Sequence, residues 1–311
     1  MKKEALETPA RSSSIVVGLG ELIWDFLPGG KQLGGAPTNF AYISHLLGND
    51  SVVASRIGDD ALGREAKTRL IRLGISTDYL QSDSQHPTGT VRVRLDEGGE
   101  ATFAVNENSA WDYLEWTSDW EELALKADVV CFGTLGQRVA SARGTMIQFL
   151  ELTRPRTLRV FDVNLRHSFF NVGMLKRSLE LATVVKLNQV ELSALARMLG
   201  LQTKTEEETA RRLLDEFDLE LIAITRGQHG SLLVTGEEVS AHPGIRVGVK
   251  DTIGAGDAFI AALAHYYRRR APLALISEAA NRMGAWVVTQ DGATPFASVK
   301  ILEELLSDIV E

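Results

Sequence analysis

Short apolar runs alternate along this chain with longer stretches in which apolar positions recur every three or four residues. The run Ile15-Val-Val-Gly-Leu-Gly20 predicts a first strand, which leaves a charged and polar tail over residues 1–14. Residues 39–47 carry helical spacing and stop at Gly48, Val52 to Ile57 reads as a second strand, and residues 62–73 form an amphipathic helix closed by Gly74. Glycine just past the last periodic residue is a common stop, because it enters the left-handed conformation without a Cβ penalty. Then the period changes. From Thr88 to Val105 the chain alternates, with Val91, Val93 and Leu95 set against Arg92, Arg94 and Asp96. A period of two belongs to a strand with one polar face, and the turn Asp96-Glu-Gly-Gly-Glu100 makes the stretch a hairpin. After about Glu115 the first pattern returns, with strands predicted at 129–132, 158–163, 183–187, 221–225 and 231–235.

Apolar strands that alternate with helices imply a parallel sheet covered on both faces. The expected fold is therefore α/β: a doubly wound, mostly parallel sheet forming one domain over residues 15–311. The hairpin at 88–105 does not fit that layering and is expected to project as part of a small β-sheet lid. No internal repeat, low-complexity segment or interdomain linker stands out.

Composition narrows the class without naming it. The 311 residues are 44% hydrophobic and 24% charged, ordinary for a soluble globular chain. A net charge of −8 argues against a general nucleic-acid binder, which needs a basic face, but leaves room for a locally positive site taking a small anion. The single cysteine, Cys131, sits in an apolar run and is expected to be a buried small hydrophobe. With one cysteine no intrachain disulfide can form, which suits a reducing cytoplasm. The first fourteen residues lack an apolar core, so a secretory leader is not expected there, and no run of about 18 apolar residues suggests a membrane span.

Several common motifs are missing. There is no G-x-x-x-x-G-K-[ST] and no H-E-x-x-H, and the six histidines are scattered. Gly18-Leu-Gly20 follows the first strand, but Ile23 stands where a dinucleotide fingerprint needs its third glycine. The stretch Thr252-Ile-Gly-Ala-Gly-Asp257 is different. Two glycines precede a small-residue helical run, and an acid closes the stretch. The start of a helix presents unpaired N–H groups and roughly half a positive charge. Glycine there lets a ligand approach the backbone, so Gly254, Ala255 and Gly256 read as a nest of amides aimed at an anion. Asp257 has two readings at this level: it stabilises the helix start, or it faces the anion and removes a proton from the attacking group.

Asp251-Thr-Ile-Gly-Ala-Gly-Asp257 matches the D-T-x-G-A-G-D signature of the ribokinase-like (PfkB) carbohydrate kinases, and Gly34-Gly-Ala-Pro-Thr-Asn39 resembles their G-G-x-x-x-N. Asn188-Gln-Val-Glu191 is similar to the family's N-x-x-E, and Thr225-Arg-Gly-Gln-His-Gly230 to its nucleotide loop. All four occur in the family's order, within about Ile15 to Phe296. The resemblance implies the fold already expected, a doubly wound α/β domain with a β lid.

It also implies roles. Asp257 would be the catalytic base and the amides of Gly254, Ala255 and Gly256 the anion hole. Asn188 and Glu191 would act on Mg2+ through its waters, although Asn-x-x-Glu alone is more often a helix cap. Thr225, Gly227 and Gly230 would line the phosphates and ribose of ATP, where the plain alternative is a tight turn. Asn281 would meet adenine. Backbone groups near Val287, Gln290, Gly292 and Phe296, with Asp251 and Ile253, fall where family members hold a monovalent cation, K+.

On the sugar side, Asp25 in Gly20-Glu-Leu-Ile-Trp-Asp25 resembles the aspartate that accepts from sugar hydroxyls, beside Gly35 and Asn39. Phe103 on the lid would cover an apolar sugar face, or else serve lid packing. Asp162-Val-Asn-Leu-Arg166 resembles the D-P-N-L-R of fructokinase-like members, with Val163 in place of proline. Arg166 would then bind sugar or the transferred phosphate, unless it is a surface ion pair. Glu21, the Gly-Gly-Ala-Pro-Thr-Asn form and Glu107-Asn-Ser-Ala-Trp-Asp112 lean toward the fructokinase branch. The expectation is an ATP-dependent kinase of D-fructose, acting as a homodimer paired through its lids. The alternatives are a 2-keto-3-deoxygluconate kinase, another sugar or nucleoside kinase, or a silent sugar-binding regulator.

Overall fold

The alternating pattern resolves into two sheets in the computed structural model, which describes residues 13–27, 29–95, 101–166, 168–297 and 299–307. In chain order the strands are β1 (Ile15–Leu19), β2 (Ile23–Leu27), β3 (Gly30–Gly34), β4 (Asp50–Gly58), β5 (Leu80–Asp83), β6 (Gly89–Leu95) and β7 (Ala101–Val105). They continue as β8 (Val129–Gly133), β9 (Leu158–Asp162), β10 (Val184–Asn188), β11 (Leu221–Thr225), β12 (Ser231–Val234) and β13 (Val239–His242). The helices are α1 (Ala36–Leu46), α2 (Ala61–Arg72), α3 (Ser118–Lys126), α4 (Ala140–Leu152) and α5 (Val172–Leu181). After them come α6 (Gln189–Leu199), α7 (Glu206–Phe217), α8 (Ala255–Arg268), α9 (Leu273–Val288) and α10 (Val299–Leu306).

The large sheet runs β13-β12-β11-β10-β9-β8-β1-β4-β5. It is parallel from β5 through β11, while β12 and β13 join antiparallel at one edge. The stretch expected as a strand at 231–235 is therefore antiparallel, lying between β11 and the edge strand β13. Successive residues of β1 show how one strand serves two cores. Val17 and Leu19 join the layer made with Trp120, Phe149, Leu175, Leu192 and Leu213, whereas Val16 joins Phe40, Phe259, Met283 and Leu302. The first layer is covered by α3 to α7 and the second by α1 and α8 to α10, as a doubly wound sheet requires. Cys131 lies in the second layer, buried and free.

The small sheet has the order β3-β2-β6-β7. Its hairpin β6–β7 is the one expected from the alternation, in antiparallel register from Val91–Val105 to Leu95–Ala101. Its other two strands were not expected. Ile23-Trp-Asp-Phe-Leu is nearly all apolar and Gly30-Lys-Gln-Leu-Gly is bounded by glycines, so neither shows a clean period of two. They form because β2 finds partners on both sides, β3 antiparallel and β6 parallel. On the apolar side of this hairpin Val91 packs with Ile23, Trp111 and Leu135. Arg138 fastens that contact. It lies over the Trp111 ring at 4.0 Å and donates twice to the buried Asp112 at 2.7 Å.

Candidate active site

The first turn of α8 is built to leave amides free. Gly254 caps the helix at φ +79°, a conformation strained for any residue with a side chain. A Cβ there would also meet the Cβ of Ala293 at 2.4 Å. Of the three amides expected to face an anion, Ala255 N makes a long 3.4 Å contact with Thr252 O. The opening amides of a helix have no intrahelical acceptor, so this nest presents donors to whatever enters it.

Asp257 follows in the same turn. Its Oδ2 accepts a 2.7 Å hydrogen bond from Nδ2 of Asn39, a residue 218 positions away on α1. That bond joins the two signature motifs into one site. Asn39 reaches it because α1 starts at Gly35, whose φ of 101° and absent side chain let the turn pass against the carbonyl of Glu21; a Cβ would sit 2.5 Å from that oxygen. The Oδ1 of Asn39 is buried without a partner among the described residues.

Charge explains the chemistry open to Asp257. Burial and the Asp162 charge push its carboxyl up to about 6, against the Asn39 hydrogen bond and the cations Lys186 and Arg166. Asp25, on lid strand β2 opposite Gln32 and Val91, is likewise raised to about 6, by burial and by the Asp257 charge, with Arg166 opposing. The Asp257 charge thus reaches the Asp25 carboxyl on the small sheet, and the exposed Arg166 opposes the rise at both. Gly34 makes room for this, since a Cβ there would meet Asp25 Oδ2 at 2.1 Å. The side chain of Phe103 lies outside the described residues; its backbone pairs with Val93.

The motif reading gave no role to three buried ionisable side chains, Lys186, Asp162 and Glu21. Lys186 of β10 donates to Asp162 Oδ1 of β9 at 3.2 Å, and both are buried. Its Nζ lies directly under the anion nest, 2.8 Å from where a Cβ on Gly256 would sit. Burial alone would lower the lysine's pKa, but the charges of Asp162, Glu191 and Asp257 outweigh it and raise it, so it stays an ammonium. Glu21 is 3% exposed, and its Oε2 has no hydrogen-bond partner among the described residues. A signal was available for two of them: Lys186 and Asp162 each interrupt or end an apolar strand, where an unpaired charge is too costly to keep.

Next to the nest opens a cavity of about 530 Å³ whose lining includes Thr225, Gly227, Gly230, Asn281, Ala255 and Gly256. It therefore gathers all four nucleotide residues expected apart from Asn188, together with two residues of the nest. Gly230 must be glycine, since a Cβ would lie 2.0 Å from His242 O. Asn281 is fixed by Nδ2 bonds to Ser231 Oγ at 2.8 Å and Ser277 O at 2.7 Å.

Asn188 and Glu191 form the capping box that the plain reading foresaw. Asn188 Oδ1 accepts from Glu191 N at 2.9 Å, and Glu191 Oε2 accepts from Asn188 N at 2.8 Å. The glutamate is not solvated, however. It is 8% exposed, and Oε1 accepts from Leu165 N at 3.0 Å. Among the described residues no group of three or more His, Cys, Asp or Glu forms a metal cage. The donor set fits a hard cation that keeps its waters and takes most other ligands from phosphates. The two segments expected around K+ do meet: the amides of Lys250 and Asp251 donate to Val288 O, and Ile253 N to Asp251 Oδ1. The carbonyl of Val287 already accepts from Gln290 N at 2.9 Å, Gly292 packs on Gln32, and Phe296 is 87% exposed.

The fold recurs in proteins of known structure. The profile described as "pfkB family carbohydrate kinase" matches residues 27–300. A fructokinase from Klebsiella pneumoniae is 31% identical over 257 residues, covering 79% of this chain and 81% of its own. An uncharacterized sugar kinase from Pyrococcus horikoshii, solved in complex with ATP, superposes with a TM-score of 0.79 at 26% identity, covering 95% of this chain and all of the other. A fructokinase from Vibrio cholerae, solved with fructose, ADP and calcium ion bound, superposes with a TM-score of 0.78 at 26% identity, over 91% and 95% of the two chains.

Proposed function

The chain belongs to the pfkB family of carbohydrate kinases, and on that premise we propose that it transfers the γ-phosphoryl group of ATP to D-fructose, giving D-fructose 6-phosphate and ADP. As a sugar kinase it is a phosphotransferase with a hydroxyl acceptor. The observation that carries the proposal is the 2.7 Å bond from Asn39 to Asp257, made at the mouth of the glycine nest and beside the nucleotide cavity. The fructose assignment leans on the fructokinases to which the chain is similar.

In this reading the sugar enters beneath the lid, where Asp25 accepts from its hydroxyls and Gly35 lets it lie close to the backbone. Asp257, ionised above about pH 6, takes the proton of the attacking hydroxyl while Asn39 holds its other oxygen in place. The oxygen attacks phosphorus in line, the bond to the β-phosphate oxygen breaks, and ADP leaves. Little covalent work falls to the protein, and positioning with charge stabilisation supplies most of the effect. The amides of residues 254–256 receive the phosphoryl oxygens, with the Lys186 ammonium beneath them and Arg166 at the open side. Asn188 and Glu191 would hold Mg2+ through its waters, and Mg2+ would neutralise charge on the nucleotide phosphates. The 251–253 and 287–296 segments would hold K+ beside the nest.

Arg166 favours a second reading, because an exposed guanidinium facing the sugar side also suits a substrate carboxylate, as in 2-keto-3-deoxygluconate. An ADP-release assay across a sugar panel separates the two. Fructose should show the highest kcat/KM, and Arg166→Ala should lower kcat more than it raises KM for fructose. A kcat/KM for the acid sugar well above that for fructose overturns the assignment.

A further inference from the structure

Glu21 is the buried carboxyl that the proposed reaction leaves without a task. It stands two residues after β1, and the backbone amides of Glu21 itself and of Ala36 lie near enough to its carboxyl to oppose the effect of burial. Ala36 opens α1, and one turn later on the same helix Asn39 grips Asp257. The main chain repeats the link, since Gly35 passes close against the Glu21 carbonyl. The other carboxyl oxygen, Oε2, is buried, lies beside Gly136 and finds no partner among the described residues. The titratable groups around it are Asp257 of α8, Asp162 of β9 and the Cys131 thiol of β8.

A buried carboxylate oxygen with no donor carries a full desolvation cost, and a carboxylic acid does not. Two neighbouring acids add to that cost. Burial is the main reason its carboxyl is pushed up to about 7, with Asp257 and Asp162 adding and the two amides opposing. Asp257, at about 6, loses its proton first, and its charge then makes Glu21 hold on to its own.

We propose that Glu21 is a positioning residue that keeps its proton during the reaction: its neutral carboxyl braces the start of α1, which carries Asn39 onto Asp257, and keeps a second negative charge away from the anion nest. The inference rests on the kinase reading, ATP binding included, and its test is independent of which sugar is phosphorylated. Arrival of anionic ATP makes ionisation of Glu21 harder still, so nucleotide binding draws a proton from solution.

Calorimetry of ATP binding at pH 7.5, in two buffers of different ionisation enthalpy, measures that proton. The wild type should take up on the order of half a proton more than Glu21→Gln, which has none to gain. Equal uptake in the two proteins overturns the proposal. This needs only ATP, so it stands even where no sugar is phosphorylated, an outcome that would sink the fructose reading alone. In turnover, Glu21→Ala removes the brace and should lose roughly tenfold or more in kcat with KM for ATP unchanged, while Glu21→Gln restores most of it. A folded Glu21→Ala with wild-type kcat also overturns the proposal; where the alanine variant does not fold, the proton count on Glu21→Gln decides.

Discussion

Replacing Asn39 by leucine tests the centre of the site. The change keeps the side chain's size and deletes the donor that lies 2.7 Å from Asp257 Oδ2. That bond favours the ionised form of Asp257, so its loss must raise the pKa, from a starting point of about 6. A hydrogen bond to a charged group contributes about 1.5–3 kcal/mol, and one pKa unit is about 1.4 kcal/mol, so the expected rise is about one to two units. At pH 7 the ionised fraction then drops from about nine-tenths to between about a half and a tenth. The acid limb of kcat, followed by ADP release at saturating sugar from pH 5 to 9, should move up by the same one to two units. The alkaline plateau should recover to within several-fold, because the base itself is intact. Loss of the base behaves otherwise: Asp257→Asn should stay roughly a hundredfold or more down at every pH. An acid limb of Asn39→Leu within about 0.3 unit of the wild type would falsify the claim that Asn39 sets the basicity of Asp257.

Gly254→Ala places a side chain at φ +79° against Ala293, whereas Gly227→Ala, at φ +57°, meets open space. Both should lose about 1–2 kcal/mol to backbone strain in denaturant unfolding, but only Gly254→Ala should lose more than that, and equal losses would refute the contact argument. Lys186→Met leaves Asp162 buried and unpaired, so it should cost about 3–5 kcal/mol of stability, and adding Asp162→Asn should recover part of it. A double variant no more stable than the single one would mean that the pair is not what holds those groups. Turnover in magnesium-ATP should rise when K+ replaces a large organic cation; equal rates would remove the monovalent site.

The alternation of apolar runs with helical periods determined the layering, since a strand apolar on both faces has to be covered on both. It also determined the hairpin β6–β7, which pairs antiparallel from Val91–Val105 to Leu95–Ala101. The glycines and the acid of residues 254–257 marked a candidate anion site from sequence alone, because a permissive backbone at the mouth of a helix leaves amides open to a ligand. What sequence left open was settled by contacts between distant residues. Strands β2 and β3 have no local period and exist because β6 pairs with one of them. The Asn39–Asp257 bond spans 218 positions and depends on two helices meeting at their starts. Asn188 and Glu191 read either as a cap or as a metal pair, and the structure makes them a reciprocal cap in which Glu191 is buried and Asn188 exposed. Which groups face Lys186, Asp162 and Glu21 became visible only in the structure, because the energy of a buried charge depends on what stands within a few ångströms of it, and spacing along the chain does not record that.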